Sequence, residues 1–307
     1  MAAPTNTFLT TAAIGNREDL SDIIYRISPT DTPLLNMAPK AKATATLHEW
    51  QTQDLAAAAA NAQAEGDDAT AIAVTPTVRL NNRTQISTKT VIVSGTQQKV
   101  DSAGRKDEMG YQMSLKSLEM KRDMEFGLTQ NNVTATSPRQ SRGLLGWVVD
   151  NTSIGAGTTV ASYATNTAQT DGTTRAFTEA QMKAVLQLQW IAGGKPDVIM
   201  MGAAAKQTFS TFTGNSTRMD KGEDQKLFAA VDVYASDFGD IKAVPNRFQR
   251  TRDVFILQSD MLAVAYLRPF QSFELAKTGD SEKRQLLVEY CLEMRNPKAH
   301  GAVYDIA

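Results

Sequence analysis

The chain withholds most of what a catalytic or secreted protein displays. Cys291 is the single cysteine, which excludes an intrachain disulfide and fits a reducing compartment. With only His48 and His300, the chain has no histidine cluster for a metal. No apolar stretch reaches the ~18 residues of a membrane span. The best candidate, 254–267, is broken by Gln258, Ser259 and Asp260. The N-terminus lacks the basic start and apolar run of a secretory signal. A soluble intracellular product without a membrane anchor is the expectation. Neither sign of charge dominates: 32 Lys and Arg stand against 33 Asp and Glu, for a net charge of -1. Gripping nucleic acid by phosphate neutralisation needs a basic face, and none is advertised. In 1–40, Arg17, Arg26 and Lys40 face Glu18, Asp19, Asp22 and Asp31, so this is no basic packaging tail. There is no internal repeat.

Catalytic patterns are also missing. There is no P-loop, and Gly155-Ala-Gly157 lacks the third glycine and the strand–helix context of a dinucleotide site. His48 falls in an expected strand beside Glu49 and reads as a structural histidine. His300 follows Asn296-Pro297 in a turn. Cys291 falls in an apolar strand and reads as a small core residue. No catalytic, cofactor-binding or metal-ligating residue is assigned, and no cofactor is expected.

What is present is organised around 101–130, the longest helical pattern. Each helical residue advances the side chain by about 100°. Met109, Met113, Met120, Met124 and Leu128 then share one stripe. Tyr111, Leu115, Leu118 and Phe126 share the opposite one, with Lys116, Glu119, Lys121, Asp123 and Glu125 between them. A surface helix has one apolar stripe; two predict a spine gripped from both sides, with Met113 and Leu118 both largely buried.

Ahead of the spine, residues 17–27 can form an amphipathic helix with Leu20, Ile23, Ile24 and Ile27 on one face. Ser28-Pro-Thr-Asp-Thr-Pro33 ends it, and Leu34, Leu35 and Met37 form an apolar plug. Strands are expected over 43–55 and 74–93. The alanine-rich stretch between them carries Glu65-Gly-Asp-Asp68. The whole reads as a long hairpin with an acidic tip (Glu65, Asp67, Asp68), too long to hold itself up in water without a partner surface. After the spine come a turn at Ser137-Pro138 and an apolar anchor at Arg142-Gly-Leu-Leu-Gly-Trp147. Residues 151–175 are a Gly/Thr/Ala/Asn run. A helix capped by Thr178 runs to about Ala192, a buried strand covers 197–201 and a helix covers 203–212. Strands follow at 228–234, 241–245, 254–258, 262–267, 270–276 and 286–295. That order is α+β and not alternating βαβ.

Several strings resemble one family of tailed-phage major capsid proteins, those similar to the phage SU-ten coat protein. They are Asn16-Arg-Glu-Asp-Leu-Ser-Asp-Ile-Ile-Tyr-Arg-Ile-Ser-Pro-Thr-Asp-Thr-Pro33, Leu47-His-Glu-Trp-Gln51, Glu65-Gly-Asp-Asp68, Gly193-Gly-Lys-Pro-Asp197, Val244-Pro-Asn-Arg-Phe-Gln249 and Ala263-Val-Ala-Tyr-Leu-Arg-Pro-Phe270. Each is weak alone; their order along nearly the whole chain carries the resemblance. It implies the Hong Kong 97 phage fold, with an N-terminal arm at 1–40 and an extended β-hairpin loop at 41–95. It further implies a peripheral domain at 96–175 and 268–307 with its spine helix at 101–130, and an axial domain at 176–267.

The implied protein is a phage head protein, not an enzyme. It would self-assemble as hexamers and pentamers into a shell enclosing double-stranded DNA without sequence-specific binding, made in the bacterial host cytoplasm and residing in the virion. Partners would be other copies of itself, a portal protein, and scaffolding or decoration proteins. Leu20, Ile23, Ile24, Ile27, Glu65, Asp67 and Asp68 are the expected intersubunit contacts. An encapsulin-type compartment shell, or a cytoplasmic enzyme of unrecognised chemistry, are the alternatives.

Overall fold

A computed structural model describes residues 30–66, 68, 71, 73–100, 107–212 and 233–307. Leu20, Ile23, Ile24, Ile27 and Asp67 lie outside these residues, as does most of the strand expected at 228–234.

Two sheets dominate. The first has four strands in the order β1-β12-β13-β4: β1 (Lys40–Lys42), β12 (Leu262–Glu274), β13 (Ser281–Met294) and β4 (Gln85–Ser94). β12 and β13 run antiparallel over most of their length, and β4 continues the sheet antiparallel to β13. The strands expected at 262–267 and 270–276 are therefore one. They are joined through register irregularities between Tyr266 and Arg268 and between Arg268 and Gln271, where Pro269 has no N–H to give.

The expected strand 74–93 is instead two, β3 (Val78–Arg83) and β4, broken at Thr84. β3 pairs with β2 (Leu47–Thr52) in a separate two-stranded ribbon, while β4 leaves for the long sheet. Its alternation places Val91 and Val93 inward, and they pack with Met109.

The spine is α3 (Glu108–Thr129), shorter than the pattern 101–130; residues 101–106 are outside the described chain. A short helix α2 (Gly95–Lys99), capped by the Ser94 hydroxyl accepting from Gln97 N–H, precedes it. Met120, Met124 and Leu128 are buried in the main core against Leu286, Val288 and Tyr290. The two-sided grip is not found. The second stripe is half-buried at Tyr111, Leu115 and Leu118, and Phe126 is 54% exposed. Met113 is half-buried as well. Among the described residues a sheet lies under only one face of the helix, and the other face is left half-buried.

The second sheet has six strands in the order β7-β14-β11-β8-β10-β9: β7 (Asn151–Ser153), β14 (Gly301–Val303), β11 (Val254–Leu257), β8 (Val198–Met201), β10 (Gly239–Pro245) and β9 (Val233–Ser236). β8 and β11 are buried along their whole length, as continuous apolar runs in mid-sheet should be. Helix α4 (Glu179–Ile191) crosses this sheet. Thr178 and Gln181 form a full capping box at its start, and Gly193 at φ +89 follows its end. α4 buries Met182, Val185 and Leu186 but leaves Trp190 59% exposed. The shorter α5 (Ala203–Phe209) buries Phe209. A small hairpin of β5 (Ala135–Thr136) and β6 (Arg139–Gln140) turns at Ser137-Pro138. The six-stranded sheet draws strands from 96–175, 176–267 and 268–307, so the two sheets share one continuous chain path through β11 and β12.

Candidate assembly surface

The β2–β3 ribbon is fastened firmly at its base. The alternation of Leu47-His-Glu-Trp-Gln-Thr52 turns Trp50 toward the body of the protein. Its indole N–H donates to the Met294 carbonyl at 2.7 Å. Its ring lies 5.4 Å from Trp147, which stacks on Tyr163 at 5.6 Å. The Arg142 guanidinium covers Trp147 at 5.2 Å; burial lowers its pKa to about 10. His48 Nε2 pairs with Glu293 at 2.9 Å, the structural role expected of it. Asn82, fully buried on β3, donates to the Leu292 carbonyl at 2.6 Å and accepts from the Arg142 and Arg83 N–H groups, both at 2.9 Å. A buried amide satisfied on both ends fixes one orientation of the ribbon.

Beyond this base the chain leaves the body. The described residues of 53–77 are almost all exposed, with Leu55 at 97% and Val74 at 89%. Asp54 pairs with Lys298. The tip carries Glu65 and Asp68, both exposed, around Gly66 at φ +85, a turn conformation that suits glycine. Leu55 and Val74 are thus held out to solvent on a segment that has no core of its own among the described residues.

The described end of the arm behaves differently. Helix α1 (Pro33–Met37) buries Leu34 in the protein's own core, with Leu35 and Met37 packed against it. Thr32 at its N-cap makes no side-chain cap bond. The first-turn N–H groups that a helix leaves without partners are taken by Glu125 of the spine, from Leu34 at 2.8 Å and Leu35 at 3.0 Å. Asn246, just after β10, adds its amide to the same carboxylate at 2.6 Å. Burial raises the Glu125 pKa; the hydrogen bonds from Leu34, Leu35 and Asn246 work against that rise. The pattern of 101–130 put Glu125 with the charges that lie between the two apolar stripes. Nothing local marks it as buried, because its partners lie 91 and 121 residues away.

Two further charge clusters were invisible in the sequence. Glu289 on β13 is held by Arg139 at 2.7 Å, Arg268 at 2.8 Å and Thr84 at 2.8 Å. Its burial raises the carboxyl pKa, but these partners more than offset it and the net shift is downward. Asp305 gathers the N–H groups of Gly155 and Gly172, the Thr158 hydroxyl and Arg252, tying the 151–175 run to the chain end. The titratable groups that could have suggested chemistry are enclosed. His300 is buried, with its pKa lowered to about 4 by desolvation. One ring nitrogen accepts from Gln258 N–H at 3.3 Å and the other lies 3.2 Å from the Met261 carbonyl. Burial pushes the Cys291 thiol up to about 12, far from a reactive thiolate.

Comparison with known proteins accords with this arrangement. The family described as SU10 major capsid protein matches residues 3–307. The chain is similar to the major capsid protein of Escherichia phage Phieco32, at 29% identity with 100% of this chain and 99% of that protein covered. In structure it is similar to the capsid asymmetric unit of cyanophage A-1(L), with TM-score 0.66 and 14% identity over 97% of this chain and 98% of that one. It is also similar to the SrpI encapsulin of Synechococcus elongatus PCC 7942, with TM-score 0.58 and 11% identity over 95% and 92%. At such identities the structural matches speak for the fold, a mixed helix and sheet architecture shared by phage capsids of the Hong Kong 97 phage type and encapsulins.

Proposed function

The chain belongs to the SU10 major capsid protein family, and from that membership we propose that it closes a tailed-phage head by overlap of neighbouring subunits. Hexamers and pentamers form around the domain that carries the six-stranded sheet. The ribbon and the arm of each subunit extend over the next. The observation that carries this reading is the ribbon beyond Thr52 and before Val78: rigid at its base, exposed beyond it, and holding Leu55 and Val74 out to solvent. A segment built this way has its burial completed by another copy.

The shell confines double-stranded DNA. A net charge of -1 suits confinement, since the genome is enclosed rather than gripped through charge-matched contacts. Production in the bacterial host, a portal at one vertex, and scaffolding or decoration partners belong to the same reading. So does an arm that uses Leu20, Ile23, Ile24 and Ile27 against a neighbour. The protein acts as a structural component and not as an enzyme.

The test is to remove residues 53–77 and join β2 to β3 by a two-residue turn. The subunit should stay folded, with the Trp50 indole still packed against Trp147, while shells disappear from electron micrographs. Normal shells from the shortened chain would overturn the reading.

A further inference from the structure

Where the turn before β11 meets the chain end, Asp171, Asp253 and Asp305 share the guanidinium groups of Arg250 and Arg252. Asp305 is well supplied. It accepts the N–H groups of Gly155 at 3.2 Å and Gly172 at 2.9 Å, the Thr158 hydroxyl, and Arg252 Nη2 at 2.8 Å. Asp171 takes Arg250 Nη2 at 2.6 Å from each of its oxygens. Together these bonds close the base of the loop 155–172, which is bridged further out between Thr159 and Thr170 and between Ser162 and Thr167. Asp253 receives nothing comparable. Its side chain is 1% exposed and lies 3.3 Å from Arg250 Nε, and neither of its oxygens accepts a hydrogen bond from the described residues. Arg175, near Asp305, is turned to the Ser153 hydroxyl and the Tyr304 carbonyl. The Tyr304 hydroxyl, buried near Asp253, donates to the Val148 carbonyl.

A carboxylate buried without donors is costly to keep ionised. With all three acids charged, Arg250 and Arg252 would be outnumbered in a place largely shut off from water. A proton on Asp253 removes both costs. Burial pushes the Asp253 pKa up to about 7, so that proton comes off around neutral pH. Gln249 packs on the same residue. Its amide nitrogen donates to the Asp253 carbonyl, and its Oε1 is buried without a donor, the kind of acceptor a carboxyl proton needs. The three acids differ in one further respect. The Asp171 side chain is 35% exposed, against 1% for Asp253 and 1% for Asp305, so it alone can exchange its partner for water.

We propose that protonated Asp253 locks the loop 155–172, and that its ionisation releases the loop by drawing Arg250 away from Asp171. The neutral carboxyl leaves Arg250 to Asp171 and Arg252 to Asp305. The ionised one competes for Arg250 from the buried side, where attraction is less screened, and Asp171 leaves for solvent with its stretch of loop. Asp305 keeps Gly155 and Thr158, so the opening is local and the six-stranded sheet stays intact. A group that holds its proton more tightly in the closed state stabilises that state at low pH and ceases to do so as pH rises through its closed-state pKa. The loop is therefore held below neutral pH and loosened above it. The device lies within one subunit and does not depend on the shell reading.

The experiment is hydrogen exchange of the full-length protein at pH 6 and pH 8, read by mass spectrometry in one assembly state and corrected for the intrinsic pH dependence of exchange. With a closed-state pKa of about 7 and an open-state value of about 4, the opening equilibrium rises about tenfold over that interval. Peptides spanning 155–175 should exchange faster at pH 8 by that factor, while peptides of β8 and β11 keep their rates. Asp253→Asn is neutral at both pH values and should abolish the step. Asp171→Ala gives up Arg250 altogether and should exchange at the faster rate already at pH 6. Four results would each overturn the inference: no step in the unsubstituted protein, a step that persists in Asp253→Asn, a loop as protected in Asp171→Ala as in the unsubstituted protein at pH 6, or acceleration of β8 and β11 by the same factor as the loop. The last would make the ionisation a global unfolding event and not the opening of a loop.

Discussion

The carboxylate of Glu125 accepts the main-chain N–H of Leu34 at 2.8 Å. That bond joins the end of the arm to the spine, and through Asn246 it reaches the six-stranded sheet as well. Glu125→Ala strands the N–H groups of Leu34 and Leu35 and the Asn246 amide in a buried place. With each of the three orphaned groups costing ~1–3 kcal/mol, the subunit should lose at least about 3 kcal/mol in chemical denaturation. Glu125→Gln keeps the volume and one acceptor oxygen and should lose less. Equal, negligible losses for both would show that the bond does not hold the arm.

The arm should divide at α1. Deleting residues 1–29 removes Leu20, Ile23, Ile24 and Ile27 but leaves Leu34 in the core; the subunit should melt as before while shells weaken. Deleting 1–37 also removes the buried Leu34. It should destabilise the subunit itself by ~2–5 kcal/mol, in the manner of a large core truncation. Identical melting of the two truncated subunits would contradict the docking of α1.

One-sided burial of the spine makes a contrast within one helix. Met120→Lys places a charge in a fully buried site and should leave little soluble protein, since an unpaired buried charge costs several kcal/mol. Phe126→Lys changes a residue 54% exposed and should shift subunit melting only slightly while impairing shells. Comparable loss of soluble protein in both variants would mean that the second stripe is covered within the subunit.

Asp253 supplies a pH test. It is buried just before β11, and neither carboxylate oxygen receives a hydrogen bond. Arg250 Nε lies 3.3 Å away, with Asp171, Asp305 and Arg252 around it. Burial pushes its pKa from 3.8 up to about 7. The folded state thus holds this proton more tightly than the unfolded chain. The associated stability is fully present below the unfolded pKa near 4 and is lost as pH rises through the folded value near 7. Asp253→Asn stays neutral, so relative to wild type it should gain up to about 4 kcal/mol between pH 4 and pH 8. Urea denaturation at those two pH values reads the difference; a gap that does not change with pH would contradict the assignment.

The features legible in the sequence are those set by local pattern. The Met stripe, the Thr178 cap, the buried run of β8 and the anchor ending in Trp147 follow from periodicity and propensity within a few residues. Thr84 carries no such signal: nothing near it says that β3 pairs with β2 while β4 joins a different sheet. Glu125, Asn82, Glu289 and Asp305 were missed for a related reason. A buried polar residue is recognisable only through its partners, and those are brought together by the fold. The second stripe of α3 was read correctly as apolar, but among the described residues it is only half-buried, because an amphipathic pattern reports which side chains are apolar and not what packs on them.

The central claim is that this chain completes its burial on copies of itself. Electron cryomicroscopy of the purified protein at assembly concentration tests it most directly. The account predicts closed, hollow shells in which residues 53–77 of every subunit lie on an adjacent one. Single subunits persisting at all concentrations, or shells in which each ribbon folds back onto its own body, would contradict it.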